Sequence, residues 1–504
     1  MTKQPKNPEP PSQGIPGVTP SERYLNQLAR RSFLSMWSYP NLYTDEGRKN
    51  GKGDGKELCD LVVIFDNNIL LFSDKHCEFP EHENIKVAWA RWYKRAIEKS
   101  VRQLNGAESW IRRYPNRIFT DSTCTQQFSL PIPDPEKANY YRFAVTRGAY
   151  GKCKEFFQGD STGTLIINTE IRGNEHRDTP FQVGHVNPDH EYVHVLDELT
   201  LDILLREFDT VSDFAAYVKK KETLLLNPAR ATLAAGEEQL IALYLTQFDE
   251  KGEHVFPELP DAADRVMFGE GYWEDLIGHP QYIAKKEADR KSYAWDNLIN
   301  HFVENARNHD KSHVEYALRA MASEPRIRRR QLASVLMEAL KQKLAPNQWF
   351  TRLISSNTFP DTAYVFFVIC HPEPNADYEE FRQFRRSQLL ARCKAAVLLA
   401  PNSKRIIGIA AEPAGSSAGS EDIILIQAGA QGWTPEQMAE AEELKDEYDL
   451  FREGRTTRKV THDDEYPILD TMAPLRNKTS LGRNRAQRRA MERKQRRKAK
   501  RSEE

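Results

Sequence analysis

The chain has 504 residues, 39% of them hydrophobic and 29% charged, with a formal net charge of −1, which is enough apolar material for two or three cores and a multi-domain globular protein. No apolar run approaches the roughly 20 residues needed to cross a bilayer, and the six cysteines are scattered without CxxC spacing, which argues against a disulfide framework or a zinc ribbon. A reducing cytoplasm and no membrane partner are therefore expected. The start, MTKQPKNPEPPSQGIPGVTP, is rich in proline and lacks a signal-type hydrophobic region, so residues 1–19 are expected to form a disordered leader. Ser21 to Ser38 then reads as a helix, with Ser21 as N-cap and Glu22 in its first turn.

From Glu57 to His76 (ELCDLVVIFDNNILLFSDKH) two apolar runs flank Asp66-Asn67-Asn68, residues that tolerate the positive φ of a tight turn, and this predicts a β-hairpin. Asp60 opens the first strand and Ser73-Asp74-Lys75 closes the second. Folding the chain back at the asparagines brings Asp60 near Asp74 and Lys75. Two converging carboxylates suit a hard divalent cation with oxygen ligands, and a neighbouring lysine steadies a phosphate or lowers the pKa of an attacking water. Ile85 to Tyr114 follows with Trp89, Trp92, Ala96, Val101, Leu104 and Ile111 at near-helical spacing and Lys94, Arg95, Lys99 and Arg102 among them. Tyr140 to Thr146 (YYRFAVT) reads as a strand.

This order of helix, hairpin, helix and strand, with an Asp on one strand and an Asp-Lys pair on the next, resembles the PD-(D/E)XK core of restriction-endonuclease-like nucleases. In style it is similar to the nuclease-related and Holliday-junction-resolvase branches. The resemblance covers about the first third of the chain, residues 20–150. It implies a restriction-endonuclease-like domain and a metal-dependent endonuclease using Mg²⁺ or Mn²⁺, with Asp60 and Asp74 on the metal, Glu22 assisting and Lys75 positioning water or steadying developing charge. The implied partner is nucleic acid, DNA in preference to RNA, and the implied setting is bacterial or phage-related genome defence. One position departs from the family pattern, where the acid stands two residues before the lysine: that place holds Ser73. Because side chains alternate on a strand, Ser73 and Lys75 share a face and Asp74 points away. Three readings remain open: a β-bulge that turns Asp74 into the site, a metal shell completed by Ser73 and a water around Asp60, Glu22 or Glu57, and a degenerate site in a nucleic-acid-binding scaffold.

The overall expectation is an α/β (α+β) protein: a mixed, mainly helical middle region over 151–350, a small α/β domain over 359–455, and a linker with a disordered basic tail over 456–504. In the middle region Gly163 to Ile171 and Glu191 to Leu196 read as strands, and Thr200 to Leu225, Ala235 to Phe248, Ser292 to Asn308 and a basic-edged Arg326 to Leu344 as helices. His185, His190 and His194 fit no standard zinc spacing and read as histidines exposed on a strand. Further on, Ala363 to Cys370, Arg405 to Ala411 and Asp422 to Gln427 read as strands, and Asp377 to Leu399 and Thr434 to Phe451 as helices. The loop Pro413 to Ser420 lacks the Lys-Ser/Thr of a phosphate-binding loop and precedes a strand. Gly482 to Glu504 holds 11 Lys and Arg against 3 Glu, a net of +8, so the preceding residues carry −9. Such a tail is drawn to a polyanion by counterion release.

Overall fold

A computed structural model describes residues 19–48, 52–158, 162–260, 262–305, 311–371, 377–416, 420–452 and 464–467. The expected leader up to residue 18 and the basic tail lie outside the described residues. The protein is of the α/β class, with helices and several small sheets divided between two compact units, described residues 19–283 and 284–467.

The first unit opens with α1 (Pro20–Phe33). Its N-cap is Thr19, two residues before the expected Ser21, because Thr19 and Glu22 form a reciprocal capping box and Pro20 takes the first helical position. The helix also stops short of Ser38: Leu34 turns out at φ +64, and Ser38–Pro40 is already a strand, β1. Two short strands, β2 (Tyr43–Thr44) and β3 (Lys56–Glu57), lead to the hairpin β4 (Leu61–Phe65) and β5 (Asn68–His76), whose turn holds Asp66 at φ +51. The predicted long helix is α2 (Ile85–Tyr93), a π-helical segment Lys94–Glu98, and α3 (Lys99–Arg113). Then come β6 (Ile118–Phe119), β7 (Asn139–Arg147), α4 (Tyr150–Phe156), β8 (Ile166–Arg172), β9 (Gln182–His185), β10 (Val193–Asp197), α5 (Glu198–Glu207) and α6 (Val211–Leu225).

The main sheet has the order β1-β4-β5-β7-β10, with β1, β4 and β5 antiparallel and β5, β7 and β10 parallel. It thus reaches past residue 150, since β10 supplies a further parallel strand beside β7. Both faces are covered, which is why all five residues of β4 are buried. On one face Val62, Ile64, Ile69 and Leu71 meet Trp89, Trp92, Ile97, Val101 and Leu104 of the α2–α3 run. On the other, Phe72 and Phe143 stack at 4.6 Å with Phe33 of α1 and Phe214 of α6 around them.

A second sheet, β12-β11-β8-β9, is formed with β11 (Ala231–Ala234) and, after α7 (Glu237–Thr246), β12 (Arg265–Phe268); α8 (Tyr272–Ile277) follows. Here two acids are fully enclosed. Glu238, in the first turn of α7, accepts from the Thr162 and Thr164 hydroxyls at 2.6 and 2.9 Å through Oε1, whereas its Oε2 is buried without a hydrogen-bond partner. Burial pushes its carboxyl up to about 8, against the two threonine bonds, with Asp197 adding repulsion. Asp197, the N-cap of α5, is raised by burial to about 6. Gly236 sits at φ +137 with both Glu238 oxygens and the Thr164 hydroxyl where a Cβ would go, so only glycine fits there.

The division falls within α9 (Pro280–Asp289), and in the second unit α10 (Tyr293–Asn305), α11 (Lys311–Ala322) and α12 (Arg326–Leu340) precede a sheet of order β13-β14-β15-β16, made of β13 (Trp349–Ile354), β14 (Thr362–Ile369), β15 (Arg405–Ala411) and β16 (Asp422–Gln427). The helices α13 (Tyr378–Ala396) and α14 (Pro435–Glu447) complete it. The arginines of α12 are not a solvated edge: Arg326 and Arg329 share buried Asp296 at 2.7 and 2.6 Å, and Arg330 pairs with buried Asp289 at 3.1 Å.

Candidate functional site

Asp60 immediately precedes β4, its N–H bonded to Phe72 O at 3.1 Å across the hairpin. It is buried, and its carboxylate Oδ2 lies 3.8 Å from the Lys75 Nζ and accepts from the backbone N–H of Asp74. Burial raises the Asp60 pKa, the Lys75 charge and the Asp74 N–H oppose the rise, and Glu22 and Asp74 add to it. Lys75 is one-third exposed, so its ammonium is open to solvent beside a buried carboxylate.

Glu57 is brought to the same place by the small sheet β3-β2-β6, where it stands opposite Tyr43. Its pKa is raised by burial, then by Asp60 and Glu22, and lowered by Lys75. Tyr43 is raised by burial, then by Glu57, Glu22 and Asp54. Glu57 and Asp60 therefore act on each other, and Glu22 and Lys75 act on both. Glu22 also closes the capping box of α1, its Oε2 accepting from Thr19 N at 3.3 Å.

Asp74 is the site residue whose carboxylate goes elsewhere. The pairing of β5 with β7 is unbroken from Asn68 opposite Asn139 to His76 opposite Arg147, so no bulge reorients it. Phe72 and Asp74 share the face that packs on α1, and the Asp74 carboxylate is gripped there by Arg147, with Nε at 3.1 Å from Oδ1 and Nη2 at 3.0 Å from Oδ2. Burial raises its pKa and Arg147 opposes the rise. Asp74 gives the site its N–H, and its carboxylate is not free to hold a metal beside Asp60. Ser73 and Lys75 do share the opposite face, where the Ser73 hydroxyl donates to Gln103 Oε1 at 3.0 Å and lies 3.3 Å from the Ser100 hydroxyl of α3.

Asp60 beside Lys75, with Glu57 and Glu22 acting on it electrostatically, makes the surroundings acidic, the sign of charge that a divalent cation offsets. Among the described residues no three His, Cys, Asp or Glu side chains stand close enough to share one ion; Mg²⁺, however, is commonly held by one or two carboxylates with waters and substrate phosphates. Carboxylate oxygens are of the type such an ion takes, and at most two of them could share one ion here.

His194 and His185 are engaged by protein partners. His194 is buried with Nε2 3.0 Å from Glu222, and His185 Nε2 lies 2.9 Å from the carbonyl of His190. His194 is thus enclosed, contrary to the exposed strand expected. Sequence reasoning missed Arg147 and Gln103, whose roles come from a neighbouring strand and from α3. No helix among the described residues is long and apolar enough to cross a membrane. Comparison with protein-family models, curated proteins and solved structures finds no match.

Proposed function

We propose that the chain is a metal-dependent phosphodiesterase that hydrolyses nucleic acid at the site around Asp60 and Lys75. The observation that carries this reading is the buried Asp60 paired with the solvent-open Lys75, with Glu57 and Glu22 within electrostatic reach. The order of α1, three antiparallel strands, α3 and a parallel strand also agrees with the nuclease core that the sequence resembles.

Asp60 and Glu57, with Glu22 nearby, would hold Mg²⁺ or Mn²⁺, and the bound ion supplies charge neutralisation at phosphate and a more acidic water. The Asp74 N–H fixes the Asp60 carboxylate in one orientation. Lys75 presents a cation where a phosphate oxygen gains charge, a form of electrostatic stabilisation strongest in a partly desolvated site. Ser73 ties the end of β5 to α3 through Gln103 and Ser100.

A second reading, a nucleic-acid-binding scaffold without hydrolysis, draws on Ser73 at the family's acid position and on the capture of Asp74 by Arg147. The two are separated by incubating duplex DNA, single-stranded DNA and RNA with the protein, with and without Mg²⁺ or Mn²⁺. Metal-dependent cleavage of one of them supports the enzyme; binding to all without cleavage under either ion supports the scaffold.

A further inference from the structure

The run from α2 through the π segment to α3 presents two chemically opposite faces. Trp89, Trp92, Ala96, Ile97, Val101 and Leu104 are buried against the sheet. Arg91, Lys94, Arg95, Lys99 and Arg102 are all exposed, and they recur at spacings of three and four that keep them on the outer side. The two acids of this run are already engaged, Glu98 by Arg177 at 2.8 Å and Glu108 by Arg112 and Arg142 at 2.8 and 3.2 Å. None of the five cations has an acidic partner among the described residues. Arg95 makes one further bond, to the Glu78 carbonyl at 3.0 Å, and Trp92 donates to Cys77 O at 2.8 Å. Both fix the helix alongside the chain that leaves β5 just beyond Lys75. Further along, Ser100 and Gln103 touch Ser73 and are flanked by Lys99 and Arg102.

We propose that Arg91, Lys94, Arg95, Lys99 and Arg102 form the track on which the phosphodiester backbone of a nucleic acid lies, leading one strand to Asp60 and Lys75; this rests on the hydrolytic reading of that site. The dimensions agree. From residue 91 to 102 the helix advances about 16 Å at 1.5 Å per residue, less than half of the roughly 34 Å turn of a duplex, so the stripe is long enough to lie against a few successive phosphates of one backbone. A lipid surface is a poorer occupant, because a helix that lies on a membrane inserts an apolar face, and here that face is committed to the core. Contacts of this kind position a nucleic acid without reading its bases.

The test uses the full chain carrying Asp60→Asn, so that substrate survives, with and without Arg91→Gln, Lys94→Gln, Lys99→Gln and Arg102→Gln together. Binding of fluorescent duplex and single-stranded oligonucleotides is followed across a KCl series. Four lost phosphate contacts flatten the log–log salt slope by about 3, similarly for unrelated sequences. Should the fourfold variant fold poorly, Lys99→Gln with Arg102→Gln alone gives half that change. An unchanged slope overturns the track, as does stripe-dependent binding to phosphatidylserine vesicles or polyglutamate without oligonucleotide binding. The outcomes also separate the two claims: a flattened slope in the Asp60→Asn background, together with a wild-type chain that cleaves none of the same oligonucleotides in Mg²⁺ or Mn²⁺, keeps the track and removes the hydrolytic reading, whereas wild-type cleavage lost in Asp60→Asn with an unchanged slope does the reverse.

Discussion

Replacing Glu238 by Gln is expected to change how stability depends on pH. In the folded protein the Glu238 carboxyl is held up to about 8 by burial, against an ordinary value of 4.5. Below pH 4.5 the group is protonated whether the chain is folded or not, and it has no effect on the pH slope. Between 4.5 and about 8 the folded state keeps a proton that the unfolded state has released, so stability falls as pH rises, by about 1.4 kcal/mol per unit and about 5 kcal/mol over the window. Above about 8 the loss is complete and the slope vanishes. Gln keeps an oxygen to accept from Thr162 and Thr164 and has no charge to desolvate. Asp197 also titrates, at about 6, so the interval from pH 6.5 to 7.5 isolates Glu238. Urea unfolding followed by circular dichroism at those two pH values should show the advantage of Glu238→Gln growing by about 1 kcal/mol or more. An advantage that stays constant across the interval refutes the enclosed, protonated carboxyl.

Three further outcomes are expected. Asp74→Ala takes from the half-buried Arg147 its paired carboxylate and should cost about 1.5–3 kcal/mol in urea unfolding; a loss below about 0.5 kcal/mol contradicts the pair. Lys75→Ala should slow cleavage by about 10²–10³-fold, the usual effect of removing one electrostatic donor, while oligonucleotide affinity measured by anisotropy changes little. Deleting residues 482–504 removes a net charge of +8 and should lower nucleic-acid affinity and flatten its salt slope by about 0.7–0.9 per lost phosphate contact; unchanged values for both assign the tail to an acidic protein partner.

The hairpin was legible because its signals are local: two apolar runs, an Asp-Asn turn, and strand alternation that already set Ser73 and Lys75 on one face and Asp74 on the other. The destination of Asp74 was not, since Arg147 lies 73 residues downstream on a parallel neighbour, and register between parallel strands leaves no trace in nearby sequence. Thr19-Pro20 with Glu22 was a readable capping signal that marks the true start of α1. Four-residue strands such as β11 and β12 are too short to show a period. The arginines of α12 read as the basic edge of a packed helix because arginine is rarely buried unless paired, and the partners that draw them inward, Asp289 and Asp296, lie on preceding helical segments. Glu238 sits on a helix buried all round, where no polar face points to its role.

The most direct measurement is a paired assay of wild type and Asp60→Asn, with cleavage and binding followed on the same oligonucleotides in Mg²⁺ and in EDTA. Asp60→Asn keeps the shape of the side chain and removes the charge that faces Lys75, so cleavage in Mg²⁺ should disappear while affinity stays within a few-fold, about 1 kcal/mol. Cleavage by Asp60→Asn at the wild-type rate, or cleavage by the wild type that is equally fast in EDTA, contradicts a metal-dependent site at Asp60.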